Sequence, residues 1–235
     1  MKKNIVIGCL LAIIALLVMR DSFVRRMMQR IRPVSQPVHQ YTDNLFYREQ
    51  TDYFSVYHAP AKIVMLGNSL FARVQWAELL ERSDVANRGI GSDITEGYKH
   101  RMQYVYNCGP AICFVEGGIN DMGYKIPVSV TLKNISDITD SLHAHHIIPV
   151  LHTVIYAPNS PIVHKDLNDT IRTYNAALAL LAADRHADLI DLNPQLAPGG
   201  VLPDRYVAAD GIHLSAAAYL VWKQAILDML KKHNL

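Results

Sequence analysis

From residue 62 onward, short apolar runs alternate with longer stretches whose apolar residues recur every three or four positions. The runs fall at 62–66, 84–87, 111–116, 147–153 and 187–191 and are rich in Ile, Val and Leu. Such runs suit strands buried on both faces. Helical periodicity covers 72–81, 96–106, 129–145, 165–184 and 215–232. Strands alternating with helices predict βαβ units, so the chain is read as α/β with a five-stranded parallel sheet. Before them, residues 33–60 hold three prolines among polar and aromatic residues. They read as a linker running into a helix near 44–57.

The N-terminus has a different pattern. Residues 5–19 are apolar without interruption, with Lys2 and Lys3 before them and Arg20, Arg25, Arg26, Arg30 and Arg32 after. The run is apolar on all faces, has no small-residue cleavage site behind it, and stops slightly short of the roughly 17–25 residues of a free span. Snorkelling of Lys3 and Arg20 extends its reach. Residues 1–32 are therefore expected to form an uncleaved hydrophobic anchor helix with a basic flank, 33–60 a linker and pre-domain helix, and 61–235 the main domain. Two signals on sidedness conflict. The arginines behind the run place the body in the cytoplasm by the positive-inside count, whereas the short Lys-Lys start looks like an export signal. The reading leans to a single-pass protein with its domain on the extracytoplasmic face.

Composition narrows the picture further. At 235 residues and 50 % hydrophobic content, the chain suits one ordinary domain plus an extension. The net charge is +2, and the excess of Lys and Arg sits in the first 32 residues, so the body is mildly acidic and offers no nucleic-acid surface. Cys9, Cys108 and Cys113 form neither a disulfide framework nor a metal pattern. His143, His145 and His146 cluster at a helix end without matching ligands elsewhere, so no metal site is expected. Trp76 and Trp222 fall on helical patterns as core residues.

In an open parallel sheet, functional residues collect at the strand-to-helix corners of one edge. Those corners read GNSL (67–70), NRGIGSDIT (87–95), EGGINDMG (116–123) and LHTVIYAP (151–158), and DGIHLS (210–215) precedes the final helix. Each polar residue there has a plain structural reading. Ser69 could cap a helix, Asn120 could hold a turn, His213 could lie on the surface, and His152 could either line a pocket or pack against the sheet. Turn chemistry alone does not demand Ser, Asn and Asp-x-x-His in this order.

On these motifs the chain resembles the SGNH hydrolases, the GDSL esterase/lipase family, in its acetylesterase-like branch. Ser69 in GNSL, the NRGIGSD stretch, Gly118-Ile119-Asn120-Asp121 and Asp210-Gly211-Ile212-His213 match four family blocks in order. The resemblance implies a flavodoxin-like three-layer α/β/α sandwich and ester hydrolysis through an acyl-enzyme, without cofactor or metal. Ser69 would be the nucleophile, His213 its base, and Asp210 the group that fixes the imidazole. The oxyanion hole would be the N–H groups of Ser69 and Ser92 and the amide of Asn120. Two departures stand out. Asn68 replaces the aspartate of the GDSL signature, and Ser92 stands where glycine is more common, leaving Gly91 as the alternative donor. The α/β-hydrolase elbow G-x-S-x-G is absent, because Phe71 follows at the second position after Ser69. The implied substrate is a short acyl ester of a small molecule, with carbohydrate O-acetyl foremost. Lysophospholipid hydrolysis, O-acyl transfer and a non-catalytic binding module are the alternatives.

Overall fold

In the computed structural model, which describes residues 39–161, 163 and 166–235, strands β1 (Ile63–Gly67) and β3 (Ile112–Glu116) are buried at every position. A strand covered on both faces must be apolar throughout, which is why these two runs show no alternation. With β2 (Val85–Gly89), β4 (Ile148–His152) and β5 (Asp188–Ile190) they form an all-parallel sheet in the order β2-β1-β3-β4-β5. The order reverses beside β1. Ligands in such sheets bind in the crevice beyond the carboxyl ends of the strands at that point.

The connecting helices are α1 (Leu45–Val56), α2 (Ser69–Ala72), α3 (Trp76–Leu79), α4 (Thr95–His100) and α5 (Gln103–Tyr106). There follow α6 (Ile119–Gly123), α7 (Val128–Ala144), α8 (Leu167–Asp184), α9 (Asn193–Leu196) and α10 (Ala216–Lys232). Successive strand residues face opposite sides of a sheet. Val64, Leu66, Cys113 and Val115 accordingly join one core with Tyr98, Ile135, Ile138, Tyr174 and Leu178 from α4, α7 and α8. Ile63, Met65, Ile112 and Phe114 join a second core with Phe71, Trp76, Trp222 and Ile226 from α2, α3 and α10. Helices thus cover both faces of the sheet.

Two helices expected as continuous are broken. The stretch 72–81 is helical only over α3, after α2 has ended at Ala72, because Asn87 Nδ2 donates to the carbonyls of Phe71 and Val74 and Trp76 Nε1 also donates to Phe71 O. Those side chains take carbonyls that a continuing helix would use. The stretch 96–106 divides at Arg101, whose side chain turns into the interior. The helix before the domain is present as α1. Asn44 caps it by accepting from Phe46 N–H, and its amide donates to Gly91 O at 2.8 Å. Tyr47 and Phe54 pack with Ile90, which fastens α1 beside the corner after β2.

The anchor and basic flank expected at 1–32 lie outside the described residues. Among the described residues, no helix is long and apolar enough to cross a membrane. Among them also, no group of three or more His, Cys, Asp or Glu is placed to hold a metal. His143 and His145 instead bond the carbonyls of Arg185 and Ser141.

Candidate active site

The chain leaves β1 at Gly67 and turns through Asn68, whose side-chain oxygen accepts Leu70 N–H at 2.8 Å. That is the capping bond of α2. Asn68 therefore does the capping that Ser69 might have done, and the Ser69 hydroxyl is left for another partner. Its partner is His213, with Nε2 standing 2.9 Å from Ser69 Oγ. The short helix carrying Ser69 can sit this close to β2 only because residue 89 is glycine. A Cβ there would come within 2.3 Å of Ala72 N.

Asp210 and His213 form one turn. Asp210 Oδ1 accepts the N–H groups of His213 and Ile212 at 2.9 and 3.1 Å, and its Oδ2 lies 2.8 Å from His213 Nδ1. The backbone N–H groups, His213 first and then Ile212, hold the Asp210 carboxyl far below the usual carboxylate range, and the His213 ring adds to this. Arg73 reaches the same pair. Its Nη1 is 3.0 Å from Asp210 Oδ2 and 2.9 Å from His213 Nδ1. Nδ1 can donate to Asp210 or accept from Arg73, but not both. With the proton assigned to Nδ1 and directed at Asp210, Nε2 presents a lone pair to Ser69 Oγ, the tautomer a general base requires.

The second and third corners meet beside Ser69. Ser92 lies in the left-handed region at φ +57°, a conformation costing a residue with a side chain about 1–2 kcal/mol. Ser92 therefore takes the backbone angles that glycine takes more easily, while Gly91 keeps an ordinary φ. Asn120 Nδ2 donates to Asp93 O at 2.8 Å, which ties the third corner to the second and leaves the other amide hydrogen available. Gly118, just before Asn120, has φ +117°, and a Cβ there would touch the Tyr174 ring at 3.0 Å. Asp121 faces inward and accepts from Thr95 N–H and the Thr95 hydroxyl; its burial raises its pKa against those bonds.

Beneath these corners lies a network that the sequence reading missed. Arg101 is 1 % exposed. It donates to Asp93 Oδ2 at 2.8 Å, to Gly67 O at 2.9 Å and to Arg88 O. One side chain thus joins the residue before the nucleophile turn, strand β2 and the loop that presents Ser92 and holds Asn120. Burial pushes the Asp93 carboxyl up to about 6, with Arg101 pulling the other way. Glu116, at the end of β3, was also missed. Its Oε1 accepts from Asn68 Nδ2 at 3.1 Å, and burial pushes its carboxyl up to about 7. A lone acid ending an apolar run is the only sequence trace of Glu116, and Arg101 follows Lys99 and His100 in a helical pattern that hides its inward turn.

His152 is not a pocket residue. It is 2 % exposed, takes a hydrogen bond from Trp222 Nε1 at 3.1 Å and packs against Phe71 and Phe114. Burial pushes its pKa down to about 3, so it is a neutral core histidine. Of the two readings open in the sequence, the geometry gives packing against the sheet.

Ser69 and His213 stand between two cavities. One, of about 260 Å³, is walled by Leu70, Ile119, Ile155, Val163, Leu202 and Leu214, with Ser92 and Asn120 at its Ser69 end. The other, of about 700 Å³, is wider and more polar and runs past Arg73, Gln75 and Arg88 toward α1.

The profile of the GDSL-like lipase/acylhydrolase family matches residues 65–221. No curated protein is similar to the chain in sequence. Among solved structures, a GDSL-like lipase from Bacteroides thetaiotaomicron is similar with a TM-score of 0.70 at 21 % identity, over 80 % of this chain and 98 % of that one. A lipase/acylhydrolase from Enterococcus faecalis is similar with a TM-score of 0.60 at 23 % identity, over 74 % and 96 %. The psychrotrophic esterase EstA from Pseudoalteromonas sp. gives 0.59 at 19 % identity, over 72 % and 96 %. These likenesses concern the fold. The family match runs through all four corners that meet at Ser69, and by it this chain belongs to the GDSL-like lipase/acylhydrolase family and is an ester-bond hydrolase.

Proposed function

We propose that Ser69, His213 and Asp210 hydrolyse a short-chain acyl ester through an acyl-enzyme. The observation that carries this reading is the line of hydrogen bonds from Ser69 Oγ through His213 to Asp210, opening on two cavities, one more polar than the other. Ser69 Oγ attacks the ester carbonyl while His213 Nε2 takes its proton, and Asp210 stabilises the imidazolium. The N–H groups of Ser69 and Ser92 and the free amide hydrogen of Asn120 hold the oxyanion. Collapse breaks the bond to the alcohol, which leaves with the proton from His213. Water, deprotonated by the same ring, then releases the acid.

The apolar cavity takes the acyl group and its size favours short chains. The wide cavity takes the alcohol, and its amides and aromatic rings suit a carbohydrate carrying an O-acetyl group. Ser69→Ala is expected to lower turnover about 10³-fold or more, with the Ser69→Ala/His213→Ala double variant little worse. A fluorophosphonate should label wild type and not Ser69→Ala; the Pseudoalteromonas esterase is itself described as inhibited by monoethylphosphonate. Near-wild-type turnover in Ser69→Ala would end the proposal. A panel of p-nitrophenyl esters should show activity falling as the acyl chain lengthens.

The apolar run at 5–19 is proposed to tether the enzyme to a bilayer, with the arginines behind it drawn to anionic headgroups and the domain extracytoplasmic. Full-length protein should then stay with membranes in high salt, and protease added to spheroplasts should digest the domain. A fully soluble full-length protein would refute the tether, and a protected domain would reverse the sidedness.

A further inference from the structure

The wide cavity beside Ser69 has an unbalanced charge. Among the described residues, its wall includes Arg73, Arg88 and His213 and not one carboxylate; the rest is aromatic (Phe46, Phe54, Tyr57), amide, or small. Arg88 is 6 % exposed, and its guanidinium donates to Tyr104 O at 3.1 Å, Asn87 O at 3.0 Å and Cys108 Sγ at 3.1 Å. The Phe54 ring lies against it, 4.4 Å from Cζ to the centroid. None of these partners is an anion, since burial pushes the Cys108 thiol up and keeps it neutral. Among the described residues, Arg88 makes no salt bridge. A buried cation is ordinarily paired with a counter-charge, because desolvation otherwise opposes it. Arg73 lies nearer the reacting atoms and engages the protein through Nη1 alone, so most of its five N–H donors are open. Asp210, the one carboxylate it touches, pairs with that single nitrogen and shares its oxygens with donors from His213 and Ile212.

We infer that the alcohol half of the substrate carries an anionic group, a phosphate or a carboxylate, held in this cavity by Arg73 and Arg88. The inference rests on the esterase reading and adds to it the class of leaving group. The anion supplies the charge that the cavity lacks, and it accepts charge-assisted hydrogen bonds from planar forks that match either oxyanion. Arg73, 2.9 Å from His213 Nδ1, sets that group beside the ring whose Nε2 gives the departing alcohol its proton.

The test uses full-length enzyme and matched acetyl esters: glycerol against glycerol 3-phosphate, and methyl lactate against lactate. The first pair reads a phosphate and the second a carboxylate. Wild type is expected to favour at least one anionic member about tenfold or more in kcat/KM, a preference that shrinks as salt rises. Arg88→Gln should reduce the preference, and Arg73→Gln/Arg88→Gln should abolish it. A separate measurement does not depend on turnover. Ser69→Ala protein should bind glycerol 3-phosphate or lactate about tenfold more tightly than glycerol by calorimetry, and the double arginine variant should lose the difference. Equal kcat/KM within both pairs, or a preference that survives loss of both arginines, overturns the inference while hydrolysis of the neutral esters keeps the esterase reading. Anion binding without any ester hydrolysis supports the anion site and removes the esterase reading instead.

Discussion

The site contains two arginine–aspartate pairs of nearly equal length and opposite surroundings. Arg101 and Asp93 meet at 2.8 Å with side chains 0 % exposed, whereas Arg73 and Asp210 meet at 3.0 Å with side chains 50 % and 35 % exposed. Water screens the second pair, so its worth lies in where it puts charge near His213. The first pair has no water to fall back on. Each partner depends on the other, and Arg101 turns its two remaining nitrogens to the backbone carbonyls of Gly67 and Arg88. Burial thus decides the division of labour. The buried pair fixes where the corners stand, and the exposed pair bears on what happens between them.

The sharpest break of the comparison is Asp210→Asn, which should lower kcat by about 10⁴ through loss of the imidazole's orienting carboxylate. Urea unfolding of the same variant should stay close to wild type; a large stability loss would mean that the exposed pair is structural after all. Arg101→Met should do the reverse. Stranding Asp93 in the interior should cost about 3–5 kcal/mol of unfolding free energy, part of it recovered in Arg101→Met/Asp93→Asn. A loss within experimental scatter would sink the claim that Arg101 braces the corners.

Glu116 sharpens the point, being a buried acid with no cation beside it among the described residues. Its folded-state pKa of about 7 lies above the unfolded value of about 4.3. Between those values the folded protein keeps a proton that the unfolded chain has lost. Stability therefore declines as pH rises through that window, and the loss is complete above about 7. Glu116→Gln cannot titrate, so its stability relative to wild type should climb from pH 5 to pH 8 in paired urea melts. A flat difference would show that Glu116 ionises normally. The smallest effect belongs to Arg73→Gln, whose urea midpoint should be indistinguishable from wild type because both charges are already hydrated.

Much of this was legible in sequence for a physical reason. Strands buried on both faces leave unbroken apolar runs, and all five are present, with ends shifted by a residue or two. The corner stretches that carry Ser69, Ser92, Asn120, Asp210 and His213 stood out because a parallel sheet gathers its corners at one edge, and the family resemblance pointed to these residues within them. Arg101 was not, because its partners lie on three separate elements and a single arginine in a helical pattern is ordinarily a surface residue. The break at Arg73 was missed for a similar cause, since Asn87, which interrupts the helix, comes from a different strand. His152 was left open between two readings, as sequence shows that a histidine ends a strand but not what covers it.

The contact between Asn68 and Glu116 also limits how this corner could change over time. An aspartate at 68 with Glu116 retained would set two acids about 3 Å apart in the interior, able to persist only by sharing a proton. A lineage exchanging the GNSL corner for GDSL would do better to change residue 116 first, passing through the amide pair Asn68 and Glu116→Gln. The order of the two steps, rather than either residue alone, decides whether the path stays folded.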